Sequence, residues 1–401
     1  MTLKKIIEDN HCIGCGLCKS ISPAQINFSE NSHGFLEPSL LENLPHNAEA
    51  FISEFCPGSN IDISLAPENK EDYMWGRIKK IGKAYSTSSN TRLAGSSGGV
   101  ITEISAYLLA KGIVDSVYHL KSPDEGPFTF TPGISNSDDE IKKSVGSKYT
   151  ASPTLLRINE LLESESTKKW AVVAKPCEIS AARRMVRSAK HLDENNFVFI
   201  SFFCAGLPSI SANKKLSSKI GIPPEDVSSI IYRGNGCPGN TIITSNTGRQ
   251  ASTTYKEAWG NTLGRDIHPR CKICPDGIGL DADLVCADAW DMDDSGYPSF
   301  SENEGFSLVI SRTNKASAFL NGMIADDKIS WAPYESSNIQ YAQPSQFYRR
   351  TTLVSRILAL KFLMKSPPKI LGTGVSKIIF AAGLLTNIKA FAGMVKRQWR
   401  L

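Results

Sequence analysis

WAVVAKPCEISAARRMVRSAK (170–190) combines the two patterns on which the fold of this chain depends. Its first five residues, WAVVA (170–174), form a short apolar run that is typical of a buried strand. The segment EISAARRMVRSAK (178–190) follows with the periodicity of an amphipathic helix. Between them, Cys177 lies where the predicted strand ends.

The same alternation of strands and helices extends over residues 80–340. Predicted strands are FVFISFF (197–203), SSIIYR (228–233) and FSLVIS (306–311), and a further predicted helix is GVITEISAYLLAKG (99–112). Strands that alternate with helices predict an α/β core. A polar stretch, SLAPENKEDY (64–73), is typical of a linker and separates this core from a small N-terminal unit.

Cysteine content points to metal or redox chemistry. The 401 residues include ten cysteines and are 41% hydrophobic, so an ordinary core can form without disulfides. The N-terminal MTLKKIIEDNHC lacks the apolar run of a secretory signal, which predicts a cytoplasmic protein. In that reducing compartment, grouped cysteines more often bind metal or do redox work than form disulfides.

The first cysteine set is a CxxCxxC segment followed by a distant Cys-Pro step. Two-residue spacers let one loop reach three corners of a [4Fe–4S] cluster, and a Cys-Pro step supplies the fourth thiolate in bacterial ferredoxins. Zinc is the alternative, but zinc sites favour paired CxxC or mixed Cys/His ligands. His11 is interpreted as a bystander. The predicted ligands are Cys12, Cys15, Cys18 and Cys56.

The second set starts from Cys271-Lys272-Ile273-Cys274, followed by a proline. Alone, this segment is compatible with a zinc half-site, a redox disulfide or half of a cluster site. Cys177 and Cys204 lie at predicted strand ends, which converge on one edge of an α/β sheet and can therefore complete a cluster site. Cys237 and Cys286 compete for the same positions, with a buried structural role as their alternative.

A turn of small residues, Gly95-Ser96-Ser97-Gly98-Gly99, leads directly into a predicted helix. Free N–H groups at a helix N-terminus favour a phosphate, although a plain helix cap is the alternative. In the later segment GSKYTAS (146–152), Tyr149 offers a ring that can stack on a flavin. Lys148 offers a cation for a phosphate or a flavin carbonyl.

Taken in order, these strings resemble the coenzyme F-420 hydrogenase/dehydrogenase beta-subunit family over residues 10–315. The matching strings are AGSSGGVIT (94–102), VGSKYTAS (145–152), AKPCEISAARR (174–184), FFCAGLPS (201–208), IYRGNGCPG (231–239), YKEAWG (255–260), RCKICPDG (270–277), ADLVCADAW (282–290) and EGFSLVISRT (304–313). The resemblance implies an oxidoreductase with FAD and [4Fe–4S] clusters.

Carried over by position, the resemblance implies roles for individual residues. Gly95 to Gly99 and Ser147, Lys148 and Tyr149 would line FAD, with Lys148 and Tyr149 as catalytic candidates beside His268, which is more simply a satisfied loop histidine. The inner [4Fe–4S] cluster would be held by Cys177, Cys204, Cys271 and Cys274. The outer cluster, present in a subset of the family, would be the entry point for electrons.

The implied organisation has four parts. These are a ferredoxin-like [4Fe–4S] unit (1–62), an FAD-binding part of the core (80–160), a second part with the inner cluster (161–340) and a basic helical tail (343–401). Two departures from the family pattern affect the expected pocket: Ala287 replaces a glycine before Asp288, and Ala316 replaces a glycine after Arg312-Thr313.

The function expected from the resemblance is an electron relay. Electrons would pass from a ferredoxin-like donor through two clusters to FAD and then to a small-molecule or glycan-linked acceptor in surface-polysaccharide synthesis. The alternatives are an electron-transfer subunit without its own substrate, a deazaflavin-dependent hydrogenase or dehydrogenase subunit, and a zinc scaffold protein.

The tail differs in charge from the rest of the chain. Residues 343–401 carry eleven Lys and Arg and no Asp or Glu, whereas residues 1–342 carry 34 basic and 40 acidic residues. A basic amphipathic helix can lie on an anionic membrane surface, which would make the protein peripheral on the inner face of the membrane. The alternative is a helix packed on its own domain or on a partner. Nucleic-acid binding is not expected, since no reader motif accompanies the charge.

Overall fold

A computed structural model describes residues 1–64, 72–121, 126–294 and 298–398. Most of the predicted linker (64–73) falls in residues 65–71, which lie outside the described residues. Within the described ranges, no helix is long and apolar enough to cross a membrane.

The described strands are β1 (Ile26–Glu30), β2 (Leu36–Leu40), β3 (Asn60–Asp62), β4 (Lys80–Ser86), β5 (Ser116–Leu120), β6 (Pro132–Ser135), β7 (Trp170–Val173), β8 (Phe197–Phe202), β9 (Val227–Ile231), β10 (Thr241–Ser245), β11 (Gln250–Thr253), β12 (Leu284–Asp288), β13 (Ser307–Ser311), β14 (Ile329–Pro333) and β15 (Lys369–Leu371).

The described α-helices are α1 (Leu3–Glu8), α2 (Leu17–Ile21), α3 (His46–Phe55), α4 (Ser89–Ala94), α5 (Val100–Ala110), α6 (Asp138–Lys142), α7 (Asn159–Leu162), α8 (Pro176–Ser188), α9 (Ile210–Lys219), α10 (Asn314–Ala325), α11 (Ile339–Ala342), α12 (Pro344–Thr351), α13 (Leu353–Phe362) and α14 (Leu384–Gln398).

An eight-stranded mixed sheet forms the core, in the order β14-β4-β13-β12-β8-β7-β5-β6. Its four middle strands, β12, β8, β7 and β5, run parallel, and the outer strands pair antiparallel with their neighbours. Parallel strands are covered on both faces, which explains the unbroken apolar runs of β7 and β8. The predicted α/β core is confirmed.

Helices cover the two faces of this sheet. On one face, Val172 of β7 packs in a core cluster with Ile179 and Met185 of α8. On the other face, Ala171 of the same strand joins a cluster with Ile104 of α5 and residues of α10. Successive residues of a strand point to opposite faces, so a four-residue strand contributes to both cores.

One predicted strand belongs to a different sheet. The segment SSIIYR (228–233) contains most of β9, which pairs antiparallel with β10 in a separate three-stranded sheet, β11-β10-β9. Only two of its five residues, Val227 and Ile230, are buried, whereas Ser228, Ser229 and Ile231 are exposed. This half-buried pattern fits a sheet that covers the core with one face.

The C-terminal segment contacts the N-terminal unit directly. Strand β15 pairs in parallel with β3, a strand that the sequence pattern does not indicate. Arg350 of α12 is almost fully buried and donates hydrogen bonds to the carbonyl oxygens of Pro275, Tyr73 and Thr373 at 2.9, 2.9 and 3.0 Å. The segment after residue 343 therefore packs on the body of the protein.

Truncating a core side chain should destabilise the protein much more than truncating an exposed one. Phe199 of β8 is fully buried, so Phe199→Ala should cost about 3–5 kcal/mol and lower the thermal midpoint by several degrees. Phe380→Ala is the matched control, since Phe380 is 82% exposed and should change stability by less than about 0.5 kcal/mol. Equal midpoints for the two variants would contradict the assigned core.

Candidate functional site

The first cysteine set gathers in the N-terminal unit. Cys12 and Cys15 lie on the loop that leads into α2, Cys18 lies in the first turn of α2, and Cys56 directly follows α3. Gly14 gives this loop its tight curvature: its φ is +63°, and a Cβ there would meet the carbonyl oxygen of Leu36 at 2.4 Å.

Electrostatics show that these four thiols are neighbours. Burial raises the pKa of each thiol, and the adjacent Cys56 thiol raises the pKa of Cys12, Cys15 and Cys18 further, to about 12 for Cys18. Backbone N–H groups donate to the sulfurs and partly offset this effect, with Gly14 donating to Cys12 and Gly58 to Cys56. Such thiols keep their protons unless a cation binds them, and a metal displaces those protons on binding.

The second set gathers at the carboxyl ends of β7 and β8. Cys177 is the second residue of α8, which follows β7, and Cys204 follows β8. Cys271 lies in the short 3₁₀ helix Pro269–Ile273, and Cys274 follows it. Because β7 and β8 are parallel neighbours, their ends meet at one edge of the sheet, beside this loop.

Charge interactions again link the members of the set. Burial raises the pKa of Cys204 to about 12, the nearby Cys271 and Cys274 thiols raise it too, and Arg349 lowers it. Burial is likewise the main cause of the raised pKa of Cys177, to which Cys274 and Cys204 add. Basic side chains around the set offset the negative charge that four thiolates would carry.

Cys237 and Cys286, the competing candidates, lie apart from both sets. The Cys237 sulfur lies 3.7 Å from Nη2 of Arg233, and burial raises its pKa to about 11, with no other cysteine among the causes. Burial alone raises the pKa of Cys286. No other cysteine is among the groups that shift the pKa of either thiol.

The spacing of the thiols bears on the choice between zinc and a cluster. Sulfurs around one tetrahedral zinc ion stand about 3.8 Å apart, given Zn–S bonds of about 2.3 Å. No group of three or more His, Cys, Asp or Glu among the described residues is spaced to hold a single ion. In a [4Fe–4S] cluster each thiolate binds a different iron and the sulfurs lie farther apart, so a cluster and a single zinc ion require different spacings of the four thiols.

Arg270 connects the two sets. Its buried guanidinium donates through Nε to the carbonyl oxygen of Gly58 at 2.9 Å and through Nη2 to that of Pro57 at 3.1 Å. Those carbonyls follow Cys56, whereas Arg270 itself precedes Cys271. Burial raises the pKa of both Cys56 and Cys274, and the positive charge of Arg270 partly offsets that effect at each thiol.

His268 lies at this junction rather than in a pocket. Its ring packs edge-on against Phe35 at 4.5 Å, and Nδ1 accepts a hydrogen bond from the Arg270 backbone. Burial and the Arg270 charge lower its pKa to about 3, so it is neutral at physiological pH. His11 is also buried, with Nε2 2.8 Å from the carbonyl oxygen of Ser366, consistent with a structural role for both.

A cavity of about 630 Å³ opens beside the second cysteine set, and Cys204 is part of its wall. Both predicted FAD segments line it: Gly95, Ser96, Ser97, Gly99, Ser147, Lys148 and Tyr149. The two segments are tied together, because the Ser96 hydroxyl accepts hydrogen bonds from the N–H and hydroxyl of Ser147 at 2.7 and 2.8 Å.

Gly98 is the one predicted lining residue that lies behind this wall. A Cβ on Gly98 would meet the carbonyl oxygen of Ala84 at 2.5 Å, and its N–H donates to the Ser307 hydroxyl. The Ser97 hydroxyl also donates away from the cavity, to the carbonyl oxygen of Phe306. These contacts fix the turn against β4 and β13.

The end of α5 offers an anion site to the cavity. Gly99 is its N-cap and no side chain caps the helix, while Val100, Ile101 and Thr102 of the first turn line the cavity. Uncapped N–H groups at a helix N-terminus, together with the helix dipole, bind phosphate groups. Together with the cavity volume, these groups fit the diphosphate of FAD.

Lys148 is a partly buried cation at the cavity wall. Its Nζ donates to the carbonyl oxygens of Ser144 at 2.6 Å and Gly146 at 3.2 Å. Burial lowers its pKa to about 8. The group can therefore act as a hydrogen-bond donor or exchange a proton near physiological pH.

Sequence reasoning missed a charged pair in the wall of the cavity. Nη1 of Arg233 donates to both carboxylate oxygens of Asp288 at 3.0 and 2.9 Å and lies 3.4 Å from the Tyr149 hydroxyl. The rings of Tyr255 and Trp290 flank the guanidinium. The strings IYRGNG, YKEAWG and ADAW contain these residues and are the signal that could have found them.

The two departures from the family pattern lie in different places. Ala287 lines the cavity next to Asp288. Ala316 is buried in α10, and the neighbouring Arg312 donates to the carbonyl oxygens of Trp75, Arg77 and Ile278. Only the first departure is therefore in a position to change what the cavity binds.

Two family models match the chain. The coenzyme F420 hydrogenase/dehydrogenase beta-subunit N-terminal model covers residues 81–159, and the C-terminal model of the same subunit covers residues 167–337. Together they cover more than half of the chain.

Individual relatives carry related names. The chain is 23% identical to the coenzyme F420 hydrogenase beta subunit of Methanothermobacter thermautotrophicus, over 65% of this chain and 86% of the relative. It is 28% identical to the beta subunit of an F420-dependent formate dehydrogenase of Methanococcus maripaludis, over 52% of each chain. It is 24% identical to a coenzyme F420-dependent sulfite reductase of Methanocaldococcus jannaschii, over 80% of this chain and 47% of the relative.

A solved structure has the same fold. It is a chain of the F420-reducing [NiFe] hydrogenase complex from Methanosarcina barkeri, with a TM-score of 0.54 and 19% identity. The likeness covers 76% of this chain and 98% of that one.

The burial of Lys148 predicts a measurable titration. In the flavin-free protein, acetylation of Lys148 should rise with pH around a midpoint near 8, because only the neutral amine reacts. Ordinary exposed lysines titrate at about 10.4 and provide the internal reference. Competitive acetylation followed by peptide mass spectrometry measures both, and a Lys148 midpoint above pH 10 would contradict its burial.

Proposed function

Because this chain belongs to the coenzyme F420 hydrogenase/dehydrogenase beta-subunit family, we propose that it passes electrons through two [4Fe–4S] clusters and FAD to a deazaflavin-type acceptor. Its relatives are subunits of hydrogenases and dehydrogenases or a reductase, and the chain is an oxidoreductase of this electron-transfer class.

The position of Cys204 is the observation that carries this proposal. Cys204 is a close neighbour of Cys271 and Cys274, and it also lines the cavity. A cluster held by this set would therefore lie against the wall of the cavity in which a flavin fits. The outer set, which Arg270 connects to the inner set, would hold the cluster that precedes the inner one in the path of the electrons.

Different residues that line the cavity have different roles in this proposal. The N-terminus of α5 would hold the FAD diphosphate, and Lys148 would offer the flavin ring a hydrogen-bond donor whose pKa is about 8. Tyr149, whose ring packs 4.8 Å from Trp259, supplies an apolar surface for the ring system. When bound, the clusters carry single electrons and the flavin exchanges one or two, so the flavin couples the two kinds of transfer.

The acceptor is better matched by a deazaflavin than by a glycan-linked compound. The relatives' names specify F420, and none of those described above refers to polysaccharide synthesis. Two basic residues, Lys256 and Arg265, line the cavity and are solvent-exposed. Exposed cations at the mouth of a cavity favour an anionic acceptor.

A partner protein is part of the proposal. The relatives named as beta subunits, and the structure with the matching fold, come from multi-subunit enzymes. We therefore expect an electron-donating or electron-accepting protein to approach the outer cysteine set.

Removing a ligand of the inner cluster should halve the iron content. Anaerobically purified protein should contain about eight iron atoms per chain, and Cys271→Ala should contain about four. Cys286→Ala is the matched control, because this buried thiol stands apart from both sets and should leave iron unchanged. Iron analysis with a UV–visible spectrum measures clusters and flavin together, and zinc without iron would contradict the proposal.

The acceptor is tested separately with the intact protein. Oxidised deazaflavin should restore the flavin absorbance of the chemically reduced wild type, whereas Arg233→Met should weaken this reaction while the iron content stays the same. Clusters and flavin that do not respond to any deazaflavin would favour the alternative, an electron-transfer subunit without its own substrate.

A further inference from the structure

An exposed apolar surface lies on the C-terminal helices. Large apolar side chains are usually exposed singly, and a contiguous group of them marks a binding surface. Here Phe380 is 82% exposed and Leu385 74% exposed. We define the apolar tail face as Leu358, Phe362, Phe380, Leu384, Leu385 and Ile388, each at least half exposed.

Four of these residues share one groove. A cavity of about 260 Å³ lies between the two helices. It is lined by Leu358 of α13, by Phe380 of the turn before α14, and by Leu384 and Ile388 of α14. The ring of Phe362 adjoins it through Phe391, with ring centroids 5.8 Å apart. These five residues therefore form a continuous surface, and Leu385 directly follows Leu384 on α14.

The other side of the same helices is fixed to the body of the protein. Leu353 and Leu360 of α13 and Met394 of α14 pack in one buried cluster with Ile273 of the inner cysteine loop. Nη1 of Arg356 also donates to the carbonyl oxygen of Lys272 at 2.9 Å. The helices are thus held in place, and the apolar tail face points away from the core.

Exposed basic side chains lie on the same two helices as this surface. Lys361, Lys389, Lys396 and Arg397 on α13 and α14 are exposed. Residues 343–401 contain no Asp or Glu, so this segment has no acidic groups of its own to neutralise them. Both family models end before this segment, at residue 337 at the latest.

We infer that the apolar tail face binds the surface of an anionic lipid bilayer. Apolar side chains on one side of a helix, bordered by Lys and Arg, can insert among acyl chains while the cations contact anionic headgroups. The described part of α14 has 15 residues, about 22 Å, which suits a helix that lies in the plane of the interface.

Charge argues against a second copy of this chain as the occupant. Pairing two apolar tail faces would bring two segments together that are rich in Lys and Arg and free of Asp and Glu, and like charges repel. An anionic bilayer supplies the opposite charge and an apolar interior at once. The inference does not depend on the identity of the electron acceptor.

Vesicle flotation of the anaerobically purified full chain tests the inference. The protein should float with vesicles of phosphatidylcholine and phosphatidylglycerol at low ionic strength, and much less with phosphatidylcholine alone. The double variant Phe380→Asp with Leu385→Asp should bind at least about tenfold more weakly. Lys389→Glu with Lys396→Glu should also bind about tenfold more weakly, through lost attraction to the headgroups.

Matched controls keep the result interpretable. Leu41→Asp changes a residue of the N-terminal unit that is 64% exposed, and it should leave flotation unchanged. Unchanged iron and flavin spectra show that each variant is folded. Absence of binding to the anionic vesicles, or equal binding to neutral ones, would overturn the inference. A dimer in analytical ultracentrifugation that Leu385→Asp dissociates would also overturn it and assign the surface to a second copy.

Discussion

The guanidinium of Arg270 is the contact on which the relation between the two cysteine sets depends. It belongs to the loop of the second set, yet its hydrogen bonds go to the carbonyl oxygens that follow Cys56 in the first set. A buried arginine is stable only when its donors are satisfied. The first set's unit supplies carbonyl acceptors to Arg270, and Arg270 supplies hydrogen-bond donors to those carbonyls. The positive charge also counters the negative charge that bound thiolates would add on both sides.

The parallel sheet explains why the second set lies beside the cavity. Strands β7 and β8 are parallel neighbours, so their carboxyl ends meet at one edge of the sheet. This edge is where α/β sheets bind ligands. Cys177 and Cys204 follow those strands directly. The glycine-rich turn and the loop of Lys148 close the cavity from the other side, tied together by Ser96 and Ser147.

Local sequence patterns predicted much of this arrangement. Apolar runs identified β7, β8 and β13, and cysteine spacing identified candidates that the structure brings together. What depends on long-range pairing was not predicted: β9 belongs to a separate sheet, and β15 pairs with a strand more than 300 residues earlier. The Arg233–Asp288 pair was missed for the same reason, because 55 residues separate its partners. Cysteine spacing alone likewise could not decide whether Cys204 or Cys286 belongs to the second set, because both lie at or near a strand that borders the cavity.

Magnetic coupling between the two proposed clusters is the most direct measure of the central claim that both cysteine sets hold a cluster and lie close together. Electron paramagnetic resonance of the fully reduced protein should show two spins per chain, with a spectrum split or broadened by their mutual interaction. In Cys15→Ala, loss of the outer cluster should leave one simple signal. Two full-intensity signals without interaction, or a single spin in the wild type, would contradict the account.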